Sequence, residues 1–312
     1  MASFDFIDVS VRAYEFFFSK AHYLMKVAIP VMFIKLICYL GIFVLGYEEM
    51  FWRQGLVLLP SFLIEGLFIA GLIRYIVYNE PIFIWGRLVE PGERAPDTEN
   101  GLPAQYIGSL GRTKCLQAGI AVYTLTQIVY WGIYSALTDF TNRPEVQAMV
   151  EDARQAKEEE REAALNTGVE NTELPSELSP DMLNGSGPNM AEMFVDAVLM
   201  FAIVVSMIWV FRLFWLYIPA AMGVSMRYFL HTIRGLSSSI LLFVTWFSCR
   251  FPTIIVMNLV AKIFLLMFPD GSAGFILLEA VLRSVADVVI VTVTTIGLTF
   301  GIFAILSPVK KK

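Results

Sequence analysis

Six long apolar blocks constrain this chain more than any other feature. They run over about residues 27–46, 55–78, 115–137, 194–224, 239–267 and 278–306. A helix rising 1.5 Å per residue needs about 20 apolar residues to cross a hydrocarbon core of roughly 30 Å. Within lipid the backbone must satisfy its own hydrogen bonds, which leaves helices as the form such blocks take. The expected fold is therefore all-α, a polytopic transmembrane helical bundle of about six spans. Composition agrees. Of 312 residues, 57% are hydrophobic and 16% charged, against about 45–50% and about 25% in a soluble domain. A soluble core of this length cannot hide that excess.

Orientation follows from the Lys and Arg of the short connections. One side would hold Arg12, Lys20 and Lys26, then Arg87, Arg94, Arg112 and Lys114, then Arg227 and Arg234, and finally Lys310, Lys311 and Lys312. The opposite side has Arg53 in its first hairpin and no Lys or Arg in its last. Both termini are thus expected in the cytoplasm. The first twenty residues carry Asp5, Asp8 and Glu15 and lack a continuous apolar core, so no cleavable signal peptide is expected.

Three regions follow. Residues 1–138 would comprise an N-terminal amphipathic interfacial helix and the first three spans. In that helix Phe4, Ile7, Val11, Tyr14 and Phe18 recur at spacings of three and four, one face of a helix. Such a helix either lies on the membrane surface or simply extends the first span. After the second span, Pro81–Trp85 is apolar but too short to cross, and is expected at the interface. Residues 139–193 would form an acidic extracytoplasmic helix and flexible loop, with thirteen acidic residues against four basic. Pro144 can open the helix, and the Pro, Gly, Ser and Asn of 166–189 read as a tether. The loop is either an acidic docking surface for a protein partner or a solvated connection. Residues 194–312 would hold the last three spans and a basic tail.

Chemistry-bearing motifs are few. There is no Gly-rich phosphate loop, no H-E-x-x-H and no G-x-S-x-G. Cys38, Cys115 and Cys249 are far apart, and His22 and His231 lack partners at ligand spacing. No catalytic residue, metal ligand or cofactor is assigned, and nucleic acid is not an expected partner. The informative residues are charges inside the blocks, each costing a few kcal/mol at the bilayer centre unless paired, hydrated or near an edge. Arg74 and Lys262 sit close enough to span ends to snorkel. Arg283 and Asp287 are four apart on one helix face and are expected to pair. Lys35, Glu65, Arg212 and Arg250 are left at depth and, with Asp287, form a candidate intramembrane polar cluster. By helix rise, Glu65 lies about 20 Å from the cytoplasmic end of its span, near enough in height to meet Lys35 or Arg250. It is expected opposite at least one of Lys35, Arg212 and Arg250. The cluster is either a cavity of net positive lining, suited to an anionic headgroup or solute, or a set of interhelical ion pairs that fixes the packing.

One stretch also carries a resemblance. Residues 211–223 read Phe-Arg-Leu-Phe-Trp-Leu-Tyr-Ile-Pro-Ala-Ala-Met-Gly, with Arg227 and then Thr232-Ile-Arg234-Gly235 after them. This pattern, the aromatic-rich 13–30 opening and Arg74 with Asn79-Glu80-Pro81 resemble uncharacterised six-span bacterial inner-membrane proteins. These are similar to the membrane domain of some glycerophosphodiester phosphodiesterases. In that group a soluble phosphodiesterase domain does the chemistry, and these residues hold no counterpart. The resemblance therefore implies a fold and a bacterial inner membrane, and no mechanism. The expected function is non-enzymatic binding of membrane lipids or of a protein partner. The alternative is a small permease for an anionic solute.

Overall fold

In the computed structural model the residues described are 5–84, 87–89, 111–144, 211–233, 235–268 and 272–306, with isolated helical positions between 147 and 159 and at 198. The chain forms two compact units. One combines Met1–Gly132 with Ser206–Lys312, and the other is Ile133–Val205.

The first unit is helical. Its elements are α1 (Phe6–Ser19), α2 (Ala21–Leu45), α3 (Phe51–Tyr78), most of α4 (Arg112–Thr141), a 3₁₀ turn (Arg212–Trp215), α5 (Tyr217–Met222), α6 (Met226–Thr232), α7 (Leu236–Leu265) and α8 (Ala273–Leu306). Five of these, α2, α3, α4, α7 and α8, are long and apolar enough to cross a membrane. They coincide with five of the six expected blocks. The fourth block, 194–224, lies mostly outside the described residues. Its described end is not one continuous α-helix, because the 3₁₀ turn gives way to α5 between Trp215 and Tyr217. Pro219 accounts for the break: it has no N–H to donate to the carbonyl of Trp215, and its ring crowds that carbonyl.

The bundle's deepest core joins α3 and α8, whose residues include Ile69, Leu72, Ile73, Ile296 and Ile302, all at 0% exposure. The outer faces of α4 and α7 are apolar and exposed, as at Leu125, Ile133, Phe251 and Leu259. That is the inverse of a soluble surface and what a lipid-facing helix carries.

Helix α1 has one face turned to the bundle and one turned away from it. It buries Val9, Ser10, Ala13 and Phe17, whereas Ile7, Val11 and Phe18 are exposed. It packs against α7 and α8, where small residues allow close approach: a Cβ on Gly297 would collide with Cys249 Sγ and lie 3.6 Å from Ala13 Cβ. The helix is also held by a proline defect. Pro252, inside α7, cannot donate to the carbonyl of Ser248. The Tyr14 hydroxyl lies 3.2 Å from that carbonyl and donates to the next one, Cys249 O, at 2.9 Å. Burial raises the Tyr14 phenol above its ordinary value, so it stays a neutral donor.

The segment after α3 does not continue the helix. Residues Ile82–Ile84 and Arg87–Val89 pair as a short antiparallel hairpin. Ile82 is fully buried against Gly71, and its N–H donates to the Tyr23 hydroxyl at 3.2 Å. This part of the connector is tucked onto α2 and α3; Trp85 lies outside the described residues.

The second unit contains the end of α4 and, from Pro144, helical positions as far as Glu159. Arg154 and Glu158 make an exposed i, i+4 pair at 3.6 Å. The rest of the acidic 139–193 segment lies outside the described residues.

Candidate functional site

Two groups of polar residues interrupt the apolar interior, and α4 touches both. The first is an ion triad. Lys35 Nζ on α2 lies 2.9 Å from Glu65 Oε1 on α3 and 3.4 Å from Asp287 Oδ2 on α8. Lys35 and Glu65 are 5% and 2% exposed, so neither is solvated and each depends on the other. The Tyr39 hydroxyl, one turn beyond Lys35, donates to Asp287 Oδ2. Periodicity explains how one helix supplies both groups, since residues four apart share a face.

Asp287 corrects the expected pairing. Arg283 bonds Glu279 at 3.2 Å, one turn back on α8, and Asp287 turns instead to Lys35. The i, i+4 rule has two acidic candidates for Arg283, one on each side, and Lys35 sits 252 residues away in sequence.

Tyr123 of α4 borders the triad. A Cβ on Gly66, the residue after Glu65, would lie 3.2 Å from Tyr123 Cδ1 and 3.3 Å from Ile120 O. The absent side chain thus lets α4 close on α3. The Tyr123 hydroxyl lies beside Glu65. Its ring meets Tyr217 edge to face at 5.2 Å, and the Tyr217 hydroxyl is 3.4 Å from Thr295 Oγ1.

Tyr123 and Tyr217 also line the second group, a cavity of about 90 Å³ between α4, the 3₁₀ turn, α7 and α8. Its wall carries hydrogen-bonding side chains, among them Thr126, Gln127 and Thr294, together with Trp215, Trp246 and Arg250. Arg250 Cζ stands 5.5 Å over the Trp246 ring, a cation–π contact. No carboxylate lines this cavity and none pairs with Arg250 among the described residues. Arg212 is buried in the 3₁₀ turn whose neighbours Phe211, Phe214 and Trp215 belong to the cavity wall.

The structure therefore brings Lys35, Glu65 and Asp287 into contact and seats Arg250 in the adjoining cavity. The aromatic and hydroxyl members, Tyr39, Tyr123 and Tyr217, were not singled out from sequence. Only their spacing from the charged positions could have suggested them.

A third charged group differs from its expected place at the membrane edge. Arg74 does not snorkel. It is 8% exposed and donates to both oxygens of Glu80, at 2.8 and 2.6 Å, and to Ala221 O at 3.1 Å. Its Cζ lies 4.9 Å from the Tyr78 ring, and the Tyr78 hydroxyl donates to Met222 O at 2.7 Å. Asn79, in the left-handed region at φ 52°, ends α3 and swings Glu80 back onto Arg74. Protein-family models, curated proteins and solved structures offer no match to this chain.

Proposed function

We propose that this chain is a six-span inner-membrane protein with both termini in the cytoplasm, and that it binds an anionic group at Arg250. The group is the carboxylate or phosphate of a solute or of a lipid headgroup. The observation that carries this reading is a guanidinium in a cavity rich in hydrogen-bonding side chains, without an ion pair among the described residues. An arginine in an apolar helix is costly unless something answers its charge. The Trp246 face answers part of it. A guanidinium fork is suited to take the two oxygens of a carboxylate or phosphate, and the surrounding rings suit an apolar body behind that anion.

Helix ends support the sixth crossing. Tyr23 near the start of α2, Tyr75 near the end of α3 and Phe300 near the end of α8 meet through Phe16 and one another. Cys115 at the start of α4 lies against Gly223 at the end of α5. Trp131 of α4 reaches Gly55 at the opposite end of α3. The start of α4 and the end of α5 thus share one end of the bundle, as the six-span reading requires. The shared end also carries Lys20, Lys26, Lys114 and Arg227, the side expected to be cytoplasmic. On this reading the exposed Ile7, Val11 and Phe18 of α1 face lipid at that surface.

Depth separates the two sources of the anion. Trp246 and Arg250 lie about 15–20 Å along α7 from its start by helix rise. That is near the bilayer midplane, where secondary transporters hold their solutes, and deeper than headgroups sit. It favours the permease over a purely lipid-binding protein. The resemblance to the membrane domain of glycerophosphodiester phosphodiesterases fits the fold and the bacterial inner membrane.

Binding to the purified protein, read by calorimetry, tests the proposal. Benzoate and inorganic phosphate represent solutes; nanodiscs of phosphatidylglycerol or of phosphatidylcholine represent the lipid source. Saturable benzoate or phosphate binding that disappears in Arg250→Gln supports a solute site. Stabilisation by phosphatidylglycerol alone, lost in the same variant, assigns the site to a headgroup. Equal behaviour of wild type and Arg250→Gln with all four refutes an anion site.

A further inference from the structure

We propose that Tyr14 of α1 is a positioning residue for the anion site: its hydroxyl stands in for the backbone hydrogen bond that Pro252 denies to the turn of α7 carrying Arg250, and so sets the affinity of that site. The proposal rests on the anion reading above. The argument starts from the backbone. In a regular helix the N–H of residue 252 would bond the carbonyl of residue 248 and close the turn between them. Pro252 lies inside α7 and has no N–H, so that bond is missing. Arg250 sits at the middle of that turn. The guanidinium offered to the cavity therefore hangs on a part of α7 that its own backbone leaves open.

Tyr14 answers the defect from another helix. Its hydroxyl lies 3.2 Å from Ser248 O, the carbonyl left without its usual donor, and donates to Cys249 O at 2.9 Å. Cys249 O belongs to the peptide group whose nitrogen is that of Arg250, and a peptide group is planar and rigid. A donor on that oxygen fixes the plane from which the Arg250 side chain departs. Thr253 Oγ1 donates to the same carbonyl at 2.7 Å and lies 3.3 Å from the Tyr14 oxygen. The two hydroxyls thus hold the peptide from α1 and from within α7. Small residues make the reach possible. Ala13, next to Tyr14, and Cys249 are both at 0% exposure, and a side chain on Gly297 of α8 would press on both.

The anion cavity does not use α1 for its wall: none of its lining residues comes from that helix among the described residues. Tyr14 therefore acts through the peptide of Arg250 and not on a ligand. Helices bend where a proline removes a bond. An unheld turn would let the guanidinium shift from its place in the cavity wall, 5.5 Å over the Trp246 ring. A bond that merely fastened α1 had no need to fall on this turn.

Tyr14→Phe tests the proposal, because it removes the hydroxyl and keeps the ring. The full chain in detergent is followed by hydrogen–deuterium exchange of the peptide covering residues 247–254, which needs no ligand, and by titration with benzoate and with inorganic phosphate. Exchange in that peptide should rise severalfold in Tyr14→Phe. Anion affinity should fall by about two- to tenfold, the range that one hydrogen bond spans. Pro252→Ala supplies the missing N–H. In that background Tyr14→Phe should change affinity by less than about twofold, as a double-mutant cycle reports. Tyr23→Phe, which removes the α2 hydroxyl that accepts from the Ile82 N–H at 3.2 Å, should leave both readouts over α7 as in the wild type. Unchanged exchange over 247–254 in Tyr14→Phe overturns the proposal, whatever the anions do. Raised exchange with wild-type affinity also overturns it and leaves Tyr14 a fastener of α1. An equal loss of affinity with and without Pro252 overturns it too, since the loss then bypasses the proline turn. Raised exchange that Pro252→Ala restores, in a protein that binds neither anion, sinks the anion site and keeps the hold of Tyr14 on the turn.

Discussion

Arg74 and Arg250 are both arginines within apolar helices, and their surroundings differ in kind. Arg74 is closed off. Two oxygens of Glu80, the carbonyl of Ala221 and the ring of Tyr78 take up its charge and its donors. Glu80 is six residues away, delivered by the Asn79 turn, so the clamp is assembled locally and staples α3 to the end of α5. Arg250 stands over the Trp246 ring and has a cavity in front of it. The difference teaches how to sort membrane charges. A balanced group that joins two elements end to end does the work of a fastener. A charge left open beside hydrogen-bonding walls is positioned for something the chain does not itself contain. The triad falls between the two, since it fastens α2, α3 and α8 yet carries unequal charge.

The largest effect should come from breaking the closed group. Arg74→Leu removes both hydrogen bonds to a half-buried Glu80 and the one to the Ala221 carbonyl. A loss of about 3–5 kcal/mol is expected for one partner of a buried pair, read as a large fall in unfolding temperature in detergent. Arg74→Leu combined with Glu80→Leu should recover part of it, as a double-mutant cycle reports. A small effect of Arg74→Leu would place this arginine with Arg250 and dissolve the contrast.

Lys35→Met comes next. It leaves Glu65 and Asp287 facing each other without their cation. A loss of about 1–3 kcal/mol is expected, read as a fall in unfolding temperature in detergent. An unfolding temperature equal to wild type would mean that the carboxylates find another partner.

These expectations also mark what could be seen before any coordinates. Apolar length is a strong signal, so α2, α3, α4, α7 and α8 match their blocks to within a few residues. Of the triad, depth puts Glu65 within reach of Lys35 or of Arg250 and does not choose between them, and Asp287 is expected on Arg283 because local spacing is legible and a contact 252 residues apart is not. Arg74 was misjudged because a position near a span end reads as wet, and only the fold brings α5 down over it. On α1, hydrophobicity marks Ile7, Val11 and Phe18, which are exposed, while the close approach to Gly297 and Cys249 that buries Ser10 and Ala13 leaves no such mark in the sequence. Lipid rewards exposed apolar side chains, so the usual rule that they turn inward loses its force.

Tyr78→Phe sharpens the comparison at the closed site. It keeps the ring over Arg74 and removes only the hydroxyl that bonds Met222 O at 2.7 Å. The carbonyl of Met222 is then left short of a donor in a buried place. A loss of about 0.5–1.5 kcal/mol is expected, with the Arg74–Glu80 pair intact. A loss as large as that of Arg74→Leu would show that the staple to α5, rather than the ion pair, carries the stability of this end.

The smallest effect on stability is expected at the open site, and it is the one that decides whether the contrast has functional content. Arg250→Gln removes a charge that no carboxylate answers among the described residues and keeps a polar side chain of similar reach. The cation–π contact with Trp246 is lost, about 0.5–1 kcal/mol, but so is the cost of keeping a guanidinium away from bulk water. The two oppose each other, and the unfolding temperature without ligand should stay close to wild type. The difference should appear only on adding benzoate. Wild type should gain thermal stability with concentration, as any ligand selective for the folded state requires, and Arg250→Gln should gain none. If instead Arg250→Gln unfolds as readily as Arg74→Leu and benzoate raises neither protein's unfolding temperature, Arg250 is a second fastener. The cavity in front of it would then be a packing gap.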